Sequence, residues 1–218
     1  MPGARSAETD TADPKALVAR GYDQMALRYA SWKVEGNPAM RFVRELDSRL
    51  RAGSDVIELG CGRGVPVARE LAKRHRVTGV DISAAQIELA RHHVPEAAFL
   101  HTDYTELEVA PRSVDAVVAI LTLTHVPRDE HADLLGRIAV WLRDGGFLLC
   151  SFGVDDAPDS IEDDWLGVPM FFSHFDARTN LRLVADAGLD VVLDEIVPMH
   201  EEGHGQARFL WVIAKKGQ

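Results

Sequence analysis

Residues 56–64 read Val56-Ile57-Glu58-Leu59-Gly60-Cys61-Gly62-Arg63-Gly64, and this stretch decides the fold. It opens as a buried strand and breaks into glycines at alternate positions before a helical pattern begins at Val65. Glycine admits φ > 0 and lets another molecule lie against the main chain. The helix N-terminus that follows offers free N–H groups. Seventeen residues past Gly64, a second apolar strand, Val77-Thr78-Gly79-Val80, ends in Asp81. An acid at that distance is where a doubly wound sheet holds the hydroxyls of a ribose.

Two kinds of ligand use such a cradle. The dinucleotide fingerprint is G-x-G-x-x-G; here Val65 stands at its last glycine, which counts against a nicotinamide-dependent oxidoreductase. A carboxylate two places before the first glycine, Glu58, would repel a pyrophosphate but suits an ammonium or a sulfonium. The pattern E-x-G-x-G-x-G resembles motif I of the class I S-adenosylmethionine (SAM)-dependent methyltransferases. The resemblance continues through Val80-Asp81-Ile82-Ser83, His101-Thr102-Asp103-Tyr104 and the run 114–121, and covers roughly residues 51–154. It implies SAM as cofactor. Gly60, Gly62 and Gly64 would pass under its methionine and ribose, with Cys61 as packing or ligand wall and Glu58 at the turn or the amino group. Asp81 would take the ribose hydroxyls and Ile82 one adenine face. Asp103 would accept from the adenine amino group beside Tyr104, and Ile120 would touch the amino-acid portion.

The chain has 218 residues, 46% hydrophobic and 27% charged, with a formal net charge of −10. That suits one soluble domain with embellishments. An acidic balance disfavours nucleic acid and anionic membranes as partners, since both reward clustered Lys and Arg. The one dense basic run, 73–76, closes a helix, where cations suit the dipole. Two cysteines, Cys61 and Cys150, make no disulfide framework. No apolar stretch approaches a membrane span and no signal-peptide core opens the chain, so a cytoplasmic protein is expected, a monomer or a homodimer.

Residues 1–13 are small, polar and aperiodic, and are expected to form a disordered tail. Helical periods follow to about residue 50, broken at Gly36-Asn37-Pro38; two helices ahead of the first strand would form an N-terminal helical cap over 14–50. From 51 onward strand and helix alternate, which predicts an α/β, Rossmann-like doubly wound sheet of seven strands. The strands fall at 55–59, 77–81, 97–101, 114–121, 147–152, 189–197 and 207–215, the last two joined by 198–206 and therefore antiparallel. A helix is expected over 65–75 with Pro66 in its first turn. Ser83 and Gln86 form a capping box, and Asp129 and Asp176 each cap a helix. The stretch 153–175 combines five Asp and one Glu with Trp165, Met170, Phe171, Phe172 and Phe175. It reads as a lid loop, with Trp165, Met170, Phe171 and Phe172 against the acceptor.

The run Tyr22-Asp23-x-x-Ala26-x-x-Tyr29-x-x-Trp32 resembles an element of the small-molecule methyltransferases in which a helix folds over the cofactor. By that resemblance Tyr29 reaches the cofactor and Tyr22 the acceptor. Spacing alone equally supports aromatics packing on the core. Methyl transfer from a sulfonium needs alignment and exclusion of water, and a general base only for a hydroxyl or cationic amine. His125, after the fourth strand, and His174, in the lid, are the candidates. His200 and His204 stand four apart, but Gly203 and Gly205 oppose a helix there, so no metal site is expected. The aromatic lid and acidic surface favour a small-molecule methyl acceptor at O, N or S. The alternatives are a protein or RNA methyltransferase, or a SAM-binding protein without catalysis.

Overall fold

The computed structural model describes residues 13–31, 34–35, 37–201, 203 and 205–217. The tail up to residue 12, Trp32 and His204 lie outside them. The elements are α1 (Pro14–Ser31), β1 (Val34–Glu35), α2 (Ala39–Arg49), β2 (Asp55–Leu59), α3 (Val67–Ala72), β3 (Arg76–Asp81), α4 (Ala84–His93), β4 (Ala98–His101) and β5 (Val114–Ala119). They continue with α5 (His131–Trp141), β6 (Leu142–Gly153), β7 (Ala157–Trp165), β8 (Val168–His174), α6 (Ala177–Asp186), β9 (Leu189–Glu201) and β10 (Gly205–Lys216).

The sheet order is β1-β9-β10-β6-β5-β2-β3-β4. Strands β6, β5, β2, β3 and β4 are parallel; β10 and β9 complete the sheet antiparallel, and the two-residue β1 adds an eighth strand at the edge. The chain moves from β2 through β3 to β4 on one side, then crosses back to β5 on the other. The switch point therefore lies between the carboxyl ends of β2 and β5, where open α/β sheets place ligands.

One face of the sheet buries Ile57, Leu59, Val117 and Phe152 against Leu134, Leu135 and Ile138 of α5 and Val184 of α6. The other buries Val56, Val118 and Trp211 against α2, α3 and α4. The two N-terminal helices thus part company. Helix α2 belongs to the sheet layers, its Phe42 stacked on Trp211 of β10 at 5.0 Å between ring centres. Helix α1 instead lies over the carboxyl ends of the strands, its Val18 and Met25 in a third cluster with Trp165, Val168, Met170 and Phe171.

The 153–175 stretch is not a loop. It forms an antiparallel hairpin, β7 on β8, turning through Leu166 and Gly167, both at positive φ (51° and 85°), as a two-residue hairpin turn of the primed kind requires. Nearly every residue of β7 is solvent-exposed, so the strand lacks the apolar alternation that announces one.

Smaller corrections have local causes. Helix α3 is shorter than 65–75, because Pro66 precedes it and its last turn loosens at Lys73. The basic run beyond it pairs with acids, Arg74 and His75 to Asp47 at 2.6 and 2.7 Å and Arg76 to Asp55 at 2.7 Å. Asp129 caps nothing: it sits inside a 3-10 turn over Arg128–Glu130 that leads into α5. Ser83 accepts from the Gln86 N–H as expected, but the Gln86 amide is buried without a partner, so only half of the capping box is made. Asp176 does cap α6, accepting from the Thr179 N–H at 2.9 Å. Strand β9 runs through Pro198 to Glu201. A proline is tolerated there because, among the described residues, the outer edge of β9 is paired only at His200 and Glu201. Among the described residues no helix is long and apolar enough to cross a membrane.

If α2 is part of the core, Phe42→Ala should lower the unfolding free energy by about 3–5 kcal/mol, against about 1 kcal/mol for the cap variant Asp176→Ala. Urea titration followed by fluorescence measures both; equal losses would put α2 outside the cooperative core.

Candidate functional site

Past Leu59 the chain turns sharply, with Gly60, Gly62 and Gly64 all at positive φ (65°, 51° and 75°). Gly60 is further constrained from above: a Cβ there would fall 2.1 Å from the Thr122 hydroxyl. The turn is tied to the neighbouring strand twice. The Cys61 N–H donates to the Val80 carbonyl at 3.0 Å, and the Gly62 N–H donates to Asp81 Oδ2 at 2.8 Å. Asp81 Oδ1 accepts from the Ser83 N–H at 2.9 Å. Burial pushes the Asp81 carboxyl up to about 6 in spite of these two donors.

Beyond β5 the chain leaves the sheet through Leu121, at φ 52°, with its N–H donating to the buried Ser151 hydroxyl at 2.7 Å. A bulky residue in the left-handed region marks a constrained turn. The Tyr104 hydroxyl donates to the Thr122 carbonyl at 3.1 Å and fixes the next residue.

Three clefts open at these strand ends, and Tyr29 and Leu121 line all of them. The first, about 640 Å³, runs over Gly60, Gly62, Asp81, Ile82, Asp103, Tyr104 and Ile120, roofed by Lys15, Val18 and Tyr22 of α1. The second, about 1260 Å³, lies between the hairpin and the start of β10, lined by Trp165, Phe172 and His174 on one side and Gln206 to Phe209 on the other. The third, about 1120 Å³, passes under the glycine turn along Glu58, Cys61, Arg63 and Met40.

Tyr22 and His125 line both the first and the second cleft. His125 is buried with both ring nitrogens engaged. Nδ1–H donates to the Phe171 carbonyl at 2.8 Å, which leaves Nε2 bare to accept from the Tyr22 hydroxyl at 2.9 Å. The Tyr29 hydroxyl bonds in turn to that of Tyr22. Rings of Tyr22, Tyr29, His125, Trp165 and Phe172 stand in mutual contact, centres 4.8 to 6.1 Å apart. Burial dominates their titration: it drives His125 down to about 4 and Tyr29 up to about 12. His174 donates from Nδ1–H to the Asp155 carbonyl at 2.5 Å and keeps Nε2 without a partner among the described residues.

The site residues expected from sequence therefore fall into five placements. Gly60, Gly62, Asp81, Ile82, Asp103, Tyr104, Ile120 and Tyr29 come together in the first cleft, and Glu58 and Cys61 in the third. Gly64 lies in the turn but packs against Phe99 and Val94, lining none of the three. Tyr22, Trp165, Phe172, His125 and His174 meet at the second. Met170 and Phe171 do not reach it: both side chains are buried against α1, and Phe171 contributes only its carbonyl. Asp103 is also more occupied than expected, with Oδ1 accepting from the Thr105 N–H at 2.8 Å and Oδ2 paired to Lys15 at 3.2 Å. Lys15 and Arg63 were not read as site residues, whereas the stretch 121–125 was expected to border the transferred methyl. Only Arg63, inside the glycine run, carried a local signal. No group of three metal-binding side chains occurs among the described residues.

Residues 56–146 match a family model described as a methyltransferase domain. The chain is 30% identical over 171 residues to 27-O-demethylrifamycin SV methyltransferase of Amycolatopsis mediterranei, covering 67% of this chain and 62% of that protein. It is 35% identical over 113 residues to trans-aconitate 2-methyltransferase of an Enterobacter species, 50% of this chain and 41% of that one. The chain thus spans less than two thirds of these relatives' own length. Among solved structures, the Burkholderia thailandensis 1,6-didemethyltoxoflavin-N1-methyltransferase superposes with a TM-score of 0.71 at 20% identity, covering 100% of this chain and 94% of that one; at that identity the likeness is one of fold. Over residues 56–146 the chain is thus similar to a class I SAM-dependent methyltransferase domain.

Proposed function

We propose that the chain transfers a methyl group from SAM to an O, N or S nucleophile of a small metabolite, releasing S-adenosylhomocysteine (SAH). The observation that carries this reading is the junction. The first cleft, over Asp81, and the third, at Glu58, meet the aromatic-walled second cleft at Tyr29 and Leu121. The residues present fit the donor: a buried Glu58 oxygen without a partner suits a ligand cation, and Asp81 stands at the first cleft with acceptor lone pairs to spare. Bound SAM supplies a methyl already activated on a sulfonium.

The chain's own residues then have three tasks. Asp81, Ile82, Asp103 and Tyr104 hold the nucleoside, and Ile120 and the glycine turn the amino-acid portion. Helix α1, 14–31, and the hairpin over 157–174 cover the junction and keep water out, which strengthens every electrostatic contact within. Tyr22, pinned by His125 and Tyr29, orients the groups that meet there. His125 itself is not the base: its free lone pair already holds Tyr22, and burial keeps the ring neutral. His174, with Nε2 available in the second cleft, is the group placed to take a proton from a hydroxyl acceptor.

A labelled-methyl assay over hydroxyl, amine, carboxylate and thiol acceptors tests the activity, with calorimetry for SAM and SAH beside it. Absence of binding by both nucleosides would sink the proposal. Asp81 accepts two ribose hydroxyls only as a carboxylate, and its carboxyl protonates near pH 6 in the free protein. Affinity should therefore weaken as pH falls through that value, about tenfold between pH 7 and pH 5, beyond any change seen in Asp81→Asn. Calorimetric Kd values at the two pH values check it.

A second expectation concerns the junction. Tyr22→Phe and His125→Ala should each lower kcat while SAH affinity stays nearly unchanged, and the double variant should be no slower than the worse single one, because one hydrogen bond carries both effects. Additive losses would mean that the two residues act separately.

A further inference from the structure

Two backbone carbonyls, of Asp155 ahead of β7 and of Phe171 in β8, decide which way the hydrogen bonds of the second cleft point. A carbonyl can only accept. That of Phe171 lies 2.8 Å from His125 Nδ1, so this nitrogen carries the hydrogen, and Nε2 of a ring kept neutral by burial is an acceptor. The Tyr22 hydroxyl, 2.9 Å from Nε2, must then spend its one hydrogen on His125. Its bond with the Tyr29 hydroxyl can be made only with Tyr29 as the donor. The chain therefore runs one way, from Tyr29 to Tyr22 to His125 to the Phe171 carbonyl, and each bond polarises the next. It starts at a Tyr29 oxygen whose hydrogen is committed, so toward the clefts this oxygen acts as an acceptor.

The Asp155 carbonyl does the same to His174. It lies 2.5 Å from Nδ1, which puts the hydrogen there and leaves the lone pair of the neutral ring on Nε2. Tyr29 and His174 both line the second cleft, so two acceptor atoms, one from α1 and one from the end of β8, share it. The charge balance has the same sign. Among the described residues that line the cleft, Asp155, Glu162 and Glu201 are acids, and the single guanidinium, Arg208, is paired to Asp155 at 3.1 Å. Between these polar groups stand the rings of Tyr22, Trp165, Phe172 and Phe209, which suit another ring or a cation.

We propose that the second cleft selects a methyl acceptor whose nucleophilic atom is itself a hydrogen-bond donor, a hydroxyl or an amine on an aromatic frame, and refuses carboxylates. The inference rests on the reading of the chain as a SAM-dependent methyltransferase and narrows it. A carboxylate brings only lone pairs to Tyr29 and His174, and a negative charge to a negative rim. A hydroxyl or an amine brings at least one hydrogen to pair with them. The transfer balances with nothing further consumed. The acceptor oxygen or nitrogen bonds to the methyl carbon, the carbon–sulfur bond breaks with its electron pair going to sulfur, and the acceptor's proton passes to His174 Nε2. Tyr29 touches the acceptor, whereas Tyr22, His125 and the Phe171 carbonyl are positioning groups that act through it.

Calorimetry in the presence of saturating SAH tests it. The probes are naphthol, naphthylmethylamine and naphthoate, substituted at the same ring carbon, so that only the group carried by the ring differs. The wild type should bind the hydroxyl and the amine about tenfold or more tightly than the carboxylate. Tyr29→Phe keeps the ring and removes the oxygen, and should bring that ratio to within about threefold. Tyr22→Phe should do the same without touching Tyr29, because the Tyr29 hydrogen loses its acceptor on α1 and can turn to the clefts. A ratio of affinities cancels any general loss of folding or of donor binding. Naphthoate bound as tightly as the others, no binding of any of the three, or a ratio unmoved in either variant overturns the proposal, while SAH binding leaves the cofactor reading intact. Failure of SAH to bind the wild type overturns the cofactor reading and the proposal with it.

Discussion

The Asp81 carboxylate is the joint on which the carboxyl edge of the sheet depends. One oxygen takes the Gly62 N–H and the other the Ser83 N–H, so the glycine turn after β2 and the helix start after β3 are fastened to a single side chain. The fastening extends further. Ser83 caps α4 and also donates its hydroxyl to Asp23 of α1 at 2.6 Å, and the same Asp23 oxygen takes the Ala85 N–H at 3.0 Å. The helix over the strand ends is thus docked through the residue next but one to Asp81. The position is costly. With a folded-state value near 6 against an ordinary 3.8, Asp81 prefers to be protonated on folding. On its account the free protein loses stability as pH rises from about 4 to about 6, and no more is lost above that. A ligand offering hydroxyls to the ionised form would offset that cost.

The same cause, burial, sets the charge state of the whole junction. Glu58 and both tyrosines are pushed up and His125 is pushed down, so these four groups are biased toward neutrality. The cover responsible is α1 with the β7–β8 hairpin, and it is fastened at several points besides Asp23. Lys15 bridges Asp103 and Glu130 at 3.2 and 2.5 Å, Tyr22 reaches His125, and Arg28 donates to the Leu166 carbonyl in the hairpin turn. A partly dry enclosure lined by ring edges is a setting in which a bound cation is the dominant charge. Preorganised contacts count for more there than in water.

What could be read from sequence was what local rules govern. The strand–glycine–helix run at 56–64, the alternation of strand and helix, and an acid at the end of the next strand depend on residues near one another in the chain, and the parallel core with its switch point follows from them. The hairpin was illegible because β7 is exposed along almost its whole length and so carries no periodic apolar signal, while its acids imitate a soluble loop. Strand β9 was cut short at Pro198, since only the absence of a long neighbour on its outer edge makes that proline harmless. The occupation of Asp103 by Lys15, and of His125 by Tyr22 and the Phe171 carbonyl, joins residues tens of positions apart. No spacing rule reaches such pairs. His125 accordingly reads from sequence as a candidate base, while in the structure its ring nitrogens meet the Phe171 carbonyl and the Tyr22 hydroxyl.

Leu121 draws these threads together. Read as the last residue of a strand, it is instead the first residue out of the sheet, held in a left-handed conformation that costs a bulky side chain roughly 1–3 kcal/mol. The surroundings enforce it from two sides: the fully buried Ser151 hydroxyl takes its N–H, and Tyr104 grips the carbonyl of Thr122 beside it. Thr122 in turn sits so close above Gly60 that no side chain could replace that glycine's hydrogen. Were Leu121 to relax into the β region, the chain would continue β5 outward, Thr122 would leave the glycine turn, and the three clefts would lose one of the two residues they share. The strain therefore belongs to the joining of the clefts, and it is borne at the one position where donor and acceptor are proposed to meet.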